Sequence, residues 1–172
     1  MDRSALRQPL LFLILVIIAD QVSKVLLIDL MAERQFVPLS LLPFFDLVMV
    51  WNPGVSFGLF SGDWQKTRWI LAGLNAVVSL GLLVWMMRAD SRLVRMALAS
   101  VIGGALGNAI DRLIYGRVAD FFDFHVGAWH WPAFNIADVA ITCGVAVLVL
   151  DSLFGGQDRA KDADHERGPE NG

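Results

Sequence analysis

Four apolar runs organise the chain, at about positions 9–28, 69–87, 93–114 and 134–154, and the stretches between them mix aromatic, turn-forming and charged residues. A bilayer core about 30 Å thick is crossed by about 20 helical residues. Each run is long enough, so the pattern predicts four membrane-spanning helices. Pro9 suits the first position of the first helix, where its missing N–H has no partner to lose. That run exceeds the roughly 7–15 apolar residues of a secretory signal and lacks a small-x-small cleavage site leading into a soluble domain, so it reads as a retained helix. Trp69 and Trp85 lie near the two ends of the second run, where aromatic rings favour the membrane interface.

The segments between the runs are not plain loops. Residues 29–67 include FFDLVMVW followed by NPGVSFGLFSG, whose β-branched and aromatic content predicts short strands at the membrane surface. Residues 115–133 carry Phe121, Phe122, Phe124, Trp129 and Trp131, rings suited to the headgroup region. Beyond Phe154 the chain turns polar, GGQDRAKDADHERGPENG, which predicts a disordered cytoplasmic tail over 155–172 after one membrane domain over 1–154. Arg88, Arg92 and Arg95 between the second and third runs, with Arg3 and Arg7 at the start, put both termini in the cytoplasm. Arg34, Lys66, Arg68, Arg112 and Arg117 fall on or near the other side and weaken that bias.

Composition agrees with the pattern and narrows the chemistry. At 56% hydrophobic, 18% charged and mean hydropathy +0.56, the 172 residues are too apolar for a soluble domain. A net charge of -3 with pI near 5.5 offers no basic field to nucleic acid. The single cysteine, Cys143, excludes an intrachain disulfide and reads as a small buried hydrophobe in its apolar run. His125, His130 and His165 show no metal-ligand spacing, so neither a metal nor a cofactor is expected. There is no internal repeat of the kind that builds inverted-repeat transporters, no phosphate-binding Walker loop and no GxSxG serine elbow.

Asp20, Lys24, Asp111, Arg112 and Asp138 lie inside these runs or at their ends, with Asp120 close by. A charge at the centre of a membrane helix costs roughly 2.5–3.5 kcal/mol on insertion scales, so such residues invite a functional reading. Asp20 and Lys24 are four apart and form an intrahelical pair, which tethers the first helix or takes part in chemistry. Asn108 and Asp111 share a face at the end of the third run, after Gly103, Gly104 and Gly107, which admit a close neighbour. Asn135 is an N-cap candidate, and Asp138 three residues later either complements the helix dipole or works in a site. Two carboxylates in a partly dry site tend to share one proton. One can then deprotonate water while the other protonates a carbonyl, the chemistry of an aspartic peptidase.

Five blocks carry a family resemblance: Asp20-Gln-Val-Ser-Lys24, Asn52-Pro-Gly54-Val-Ser-Phe57-Gly58, GGALGNAIDR over 103–112, VADFFDF over 118–124 and FNIAD over 134–138. Together, in this order and across all four runs, they resemble the bacterial lipoprotein signal peptidases, also called signal peptidase II. The resemblance implies a four-helix transmembrane bundle with a small extracytoplasmic β-sheet that cradles substrate and a periplasmic flap from the aromatic segment before the fourth helix. It implies an inner-membrane aspartic endopeptidase, monomeric, with its active site near the periplasmic face. Its substrates would be diacylglyceryl-modified prolipoproteins in the membrane lipid, cut before the lipidated cysteine, and its inhibitor globomycin. By this resemblance the catalytic pair is Asp120 and Asp138, supported by Asp20, Lys24, Asn52, Gly54, Asn108, Asp111, Arg112 and Asn135. Asp123 is then a solvated or structural carboxylate, and Ser56 departs from the alanine commoner in the second block. Two other classes compete: a small transporter or channel subunit with Asp20, Lys24 and Asp111 as an ion relay, and a lipid-binding scaffold without catalysis.

Overall fold

The computed structural model describes residues 4–54 and 64–166. Four helices and a four-stranded sheet follow one another as α1 Ser4–Glu33, β1 Leu39–Leu42, β2 Phe45–Asn52, α2 Trp64–Arg88, α3 Arg92–Ile114, β3 Val118–Val126, β4 Trp129–His130 and α4 Ile136–Glu166. All four helices contain a stretch apolar and long enough to span a membrane, as the pattern predicted. Arg3, Ser56, Phe57 and Gly58 lie outside the described residues, as does the tail over 167–172.

Helix α3 is the hub of the bundle. Its most apolar stretch is 72% buried, against 17–22% for the other three. The sequence explains this: α3 is built from Ala, Gly and Ser, and small residues let neighbouring backbones approach where lipid supplies no hydrophobic drive between helices. Gly104 meets the carbonyl of Ala137 and the side chain of Ile141 on α4, while Gly103 faces Val16 and the Leu13 carbonyl on α1. The large residues of α1, α2 and α4 instead point outward, Leu15, Leu26, Val77, Leu80 and Leu153 among them, as in a lipid-facing surface. Cys143 is on this outer surface too, so it is not the buried hydrophobe its apolar run suggested.

Two helix ends differ from expectation. Pro9 is the sixth residue of α1 rather than its first; the helix starts earlier because Ser-Ala-Leu-Arg-Gln precedes it with residues that tolerate helix, and a proline in the second turn disturbs only the end of the ladder. Helix α4 runs on to Glu166, through most of the stretch expected to be disordered. DRAKDAD extends an existing helix without a new nucleus, and Ala, Arg and Lys favour that extension. Tyr115 caps α3 and Gly116, at φ +78°, turns the chain back into β3 over the end of the same helix.

The sheet is antiparallel in the order β1-β2-β3-β4. Strands β1 and β2 fall where short strands were expected. The aromatic segment, for which no strand was expected, forms one as well: β3 is nine residues long and pairs with β2, Val50 opposite Asp120 and Asn52 opposite Val118. Phe121 is fully buried, and Phe45 stacks on Phe124 with ring centroids 4.7 Å apart. This pairing brings Asn52 alongside Asp120.

Candidate active site

Asp120 leaves β3 into the space between the sheet and the bundle and is 1% exposed. Each of its oxygens accepts one amide N–H: Asn52 Nδ2 donates to Oδ2 at 3.0 Å and Asn135 Nδ2 to Oδ1 at 2.7 Å. Asp138 approaches from the first turn of α4, where Asn135 is the N-cap. Asn135 Oδ1 accepts from the Asp138 backbone N–H at 3.0 Å, and Asp138 Oδ2 accepts from the Asn135 N–H at 3.2 Å. This is a reciprocal capping box with Asp in the place Glu usually takes. One asparagine therefore caps α4 and touches both carboxylates.

Burial pushes the Asp120 carboxyl up to about 6; the donated Asn52 hydrogen bond works against that, the neighbouring Asp138 charge adds to it, and the Asn135 bond and Lys24 charge oppose it. Desolvation wins because a buried carboxylate loses more water than two amide donors replace. Asp138 is half-buried and borders a cavity of about 410 Å³ shared with Trp131, Pro132, Phe134, Val139, Thr142 and Cys143. The cavity runs from the carboxylate along the outer face of α4. A second hollow of about 510 Å³, walled by Phe44, Phe124, Trp129 and Trp131, adjoins it through Trp131 and Phe134.

Beneath the pair is a buried ionic layer. Lys24 Nζ lies 2.8 Å from Asp20 Oδ2 and 2.8 Å from Asp111 Oδ2, and donates to Asn108 Oδ1 at 3.1 Å. Asn108 Nδ2 donates onward to Asp138 Oδ1 at 2.9 Å. Asp20 Oδ1 accepts from the Ala137 N–H on α4 and Asp111 Oδ2 from the Ala119 N–H on β3. The two acids thus tie both chain segments that carry Asp120 and Asp138 to the bundle. All ten residues singled out by sequence gather at this end of the molecule. Gln21 was missed: its Nε2 bridges Asp20, Asp111 and the Gly107 carbonyl. A second polar residue beside Asp20 in an apolar run was the available signal.

Proteins of known kind match along most of this chain. The family model described as signal peptidase (SPase) II matches residues 12–154. The chain belongs to the signal peptidase II family. A lipoprotein signal peptidase of Methylobacterium radiotolerans is 48% identical over 168 residues, covering 95% of this chain and 96% of its own. One from Methylorubrum extorquens is 48% identical over 153 residues, 87% of this chain and 88% of its own. Two solved structures of a bacterial membrane enzyme superpose with TM-score 0.70, at 25% identity over 96% of this chain and 94% of theirs and at 28% over 86% and 93%. The protein is therefore an aspartic-type peptidase of the membrane.

Two further features bear on the site. Gly54 holds φ +84°, and a Cβ there would lie 2.5 Å from Leu71 Cδ1 and 3.0 Å from Arg112 Nη2, so only glycine seats this turn on the arginine. Arg112 Nη1 donates to the Asn108 carbonyl at 3.1 Å, while its buried Nε has no hydrogen-bond partner among the described residues. Asp123, expected as solvated or structural, is buried and lies 2.7 Å from His130 Nδ1. It stands opposite Asp46 of β2, three residues along β3 from Asp120, and its burial makes it structural rather than solvated.

Proposed function

We propose that the protein removes the signal peptide from diacylglyceryl-modified prolipoproteins, cutting before the lipidated cysteine, with Asp120 and Asp138 as the catalytic pair. The observation that carries this reading is the amide lattice around the two carboxylates. Asn52, Asn108 and Asn135 give N–H donors to three of their four oxygens, and the Asn135 backbone serves the fourth. A pair held in this way needs no covalent intermediate. One carboxylate accepts a proton from water as the oxygen attacks the scissile carbonyl; the protonated partner donates to that carbonyl oxygen and then to the leaving amine. Burial favours Asp120 as the proton carrier, and a bound substrate that excludes water pushes further in that direction.

Supporting roles follow from contacts. Asp20, Lys24 and Asp111 hold the two segments that bear the pair, and Asn52, Asn108 and Asn135 orient the carboxylates. Gly54 and Arg112 line the approach from the β2 side. The relatives' name, lipoprotein signal peptidase, supports the substrate class, and the apolar cavity beside Asp138 offers a place for acyl chains. In this reading the enzyme sits in the bacterial inner membrane as a monomer with both termini cytoplasmic and the pair near the periplasmic face. Globomycin would compete for the same site.

The test is cleavage of a diacylglyceryl-modified prolipoprotein in detergent, followed by gel shift. Asp120→Asn and Asp138→Asn should each lower turnover about a hundredfold or more while the proteins remain folded. Wild-type-like processing by either variant overturns the assignment.

A further inference from the structure

We propose that Lys24 is a positioning residue for the peptidase reaction, acting through the Asn108 amide on Asp138; this rests on the reading of Asp120 and Asp138 as the working pair. Lys24 is 1% exposed, and an ammonium has three donors and no acceptor. Two of its N–H groups are directed at Asp20 and Asp111, both 2.8 Å away. These fix where the nitrogen sits, and the third is left for Asn108 Oδ1 at 3.1 Å.

A side-chain amide has two orientations that exchange its oxygen and its NH₂. A donor-only neighbour excludes one of them. With Lys24 in place the oxygen of Asn108 must face inward, so the NH₂ faces Asp138 Oδ1 at 2.9 Å. Reversed, the amide would turn an oxygen toward a carboxylate and take away one of the two N–H donors that Asp138 receives. Asn135 Nδ2 also points at the Asn108 oxygen, at 3.3 Å, but that same NH₂ serves Asp120 at 2.7 Å and the Ala119 carbonyl at 3.3 Å. It is the weaker hold. A lysine kept only to neutralise Asp20 and Asp111 would have no need of the amide. Here its third donor is the first link of a chain that ends on the oxygen of Asp138.

The experiment measures kcat and KM on the lipidated substrate, per mole of folded enzyme, for Lys24→Met combined with Asp111→Asn, compared with Asp111→Asn alone. The combination has the net buried charge of the wild type, which is therefore the second reference, whereas Asp111→Asn alone carries one negative charge fewer. The expected result is a kcat about tenfold lower with KM within about twofold, because orientation of a reacting group is lost and not uniform binding. Lys24→Gln in the same background should recover part of kcat, since its amide can donate to Asn108. Adding Lys24→Met to Asn108→Ala should cost less than about twofold more, the coupling expected of two residues in one chain of contacts. An unchanged kcat per folded enzyme, or losses that simply multiply, overturns the proposal. If the Met variants yield no folded protein, Asn108→Asp decides. Its carboxylate still pairs with Lys24 but offers Asp138 no N–H, so kcat should fall, and a retained kcat overturns the proposal. An active Asp120→Asn enzyme would instead remove the catalytic reading beneath it.

Discussion

Asp120 is the residue whose charge the fold controls most directly. In an unfolded chain an aspartate titrates near about 3.9, whereas burial holds this one up to about 6. The native state thus binds the proton more tightly than the unfolded state. Its contribution to stability is complete below about pH 4 and is lost as pH rises through about 6, a change on the order of 2–3 kcal/mol. Asp120→Asn removes the charge, so its stability relative to wild type should rise between pH 4 and pH 8. Thermal unfolding of both proteins in one detergent at the two pH values measures this. A difference that stays constant with pH would mean that Asp120 is not held in the protonated form. Sequence pointed to Asp120 only through the family blocks, because nothing in its own neighbourhood marks it as more than one of two nearby aspartates. What separates it from Asp123 is strand register: Asp120 falls beside Asn52 and Asn135, while Asp123 falls opposite Asp46 and beside His130.

Among elements, the four helices were readable because a span is set by bilayer thickness, and every one of them keeps an apolar stretch of that length. Strand β3 was not. VADFFDFHV shows no clean alternation, since Val118 to Phe121 are all buried, covered by the bundle on one side and by neighbouring strands and aromatics on the other. An aromatic-rich strand of this kind reads only as interfacial until its pairing partner is known. The contacts between elements also explain why Asp20 matters. Its Oδ2 pairs with Lys24 on α1 and its Oδ1 receives the Ala137 N–H of α4. Asp20→Ala leaves Lys24 with one carboxylate partner instead of two and α4 with an unmet donor, so it should destabilise by about 3 kcal/mol or more and lower folded yield alongside activity. Yield of monodisperse protein and the unfolding temperature measure it. A stable but inactive variant would move Asp20 from scaffold to chemistry. Gly104→Val gives a separate check on α3 as hub: its side chain would strike the Ala137 carbonyl and Ile141, displacing the start of α4 and with it Asp138. Activity should fall with stability, and a neutral result would mean that the α3–α4 contact is loose.

At the scale of the whole molecule, the pair proposed as catalytic is assembled from two layers that the chain reaches at different depths. Asp120 comes from a sheet outside the spans, and Asp138 from the first turn of a span, half-buried at the mouth of an apolar cavity that continues past Thr142 and Cys143 on the outer face of α4. Under the proposed function, such a site would meet a peptide bond from the sheet side and hydrocarbon from the bundle side. A substrate with acyl chains on the residue after the scissile bond satisfies both at once, and each buried methylene is worth about 0.8 kcal/mol. Much of that energy is already gained in the membrane itself, so the chains serve chiefly to fix depth and orientation, which converts a search through solution into a local one. The same peptide with an unmodified cysteine should therefore be cleaved with kcat/KM lower by about a hundredfold or more, and shortening the two acyl chains should raise KM before it touches kcat. Initial rates on matched synthetic peptides in mixed micelles, at fixed surface concentration, separate the two effects. Equal kcat/KM for lipidated and unlipidated peptides would show that the cavity beside Asp138 has no part in substrate recognition, and that the site selects by sequence alone.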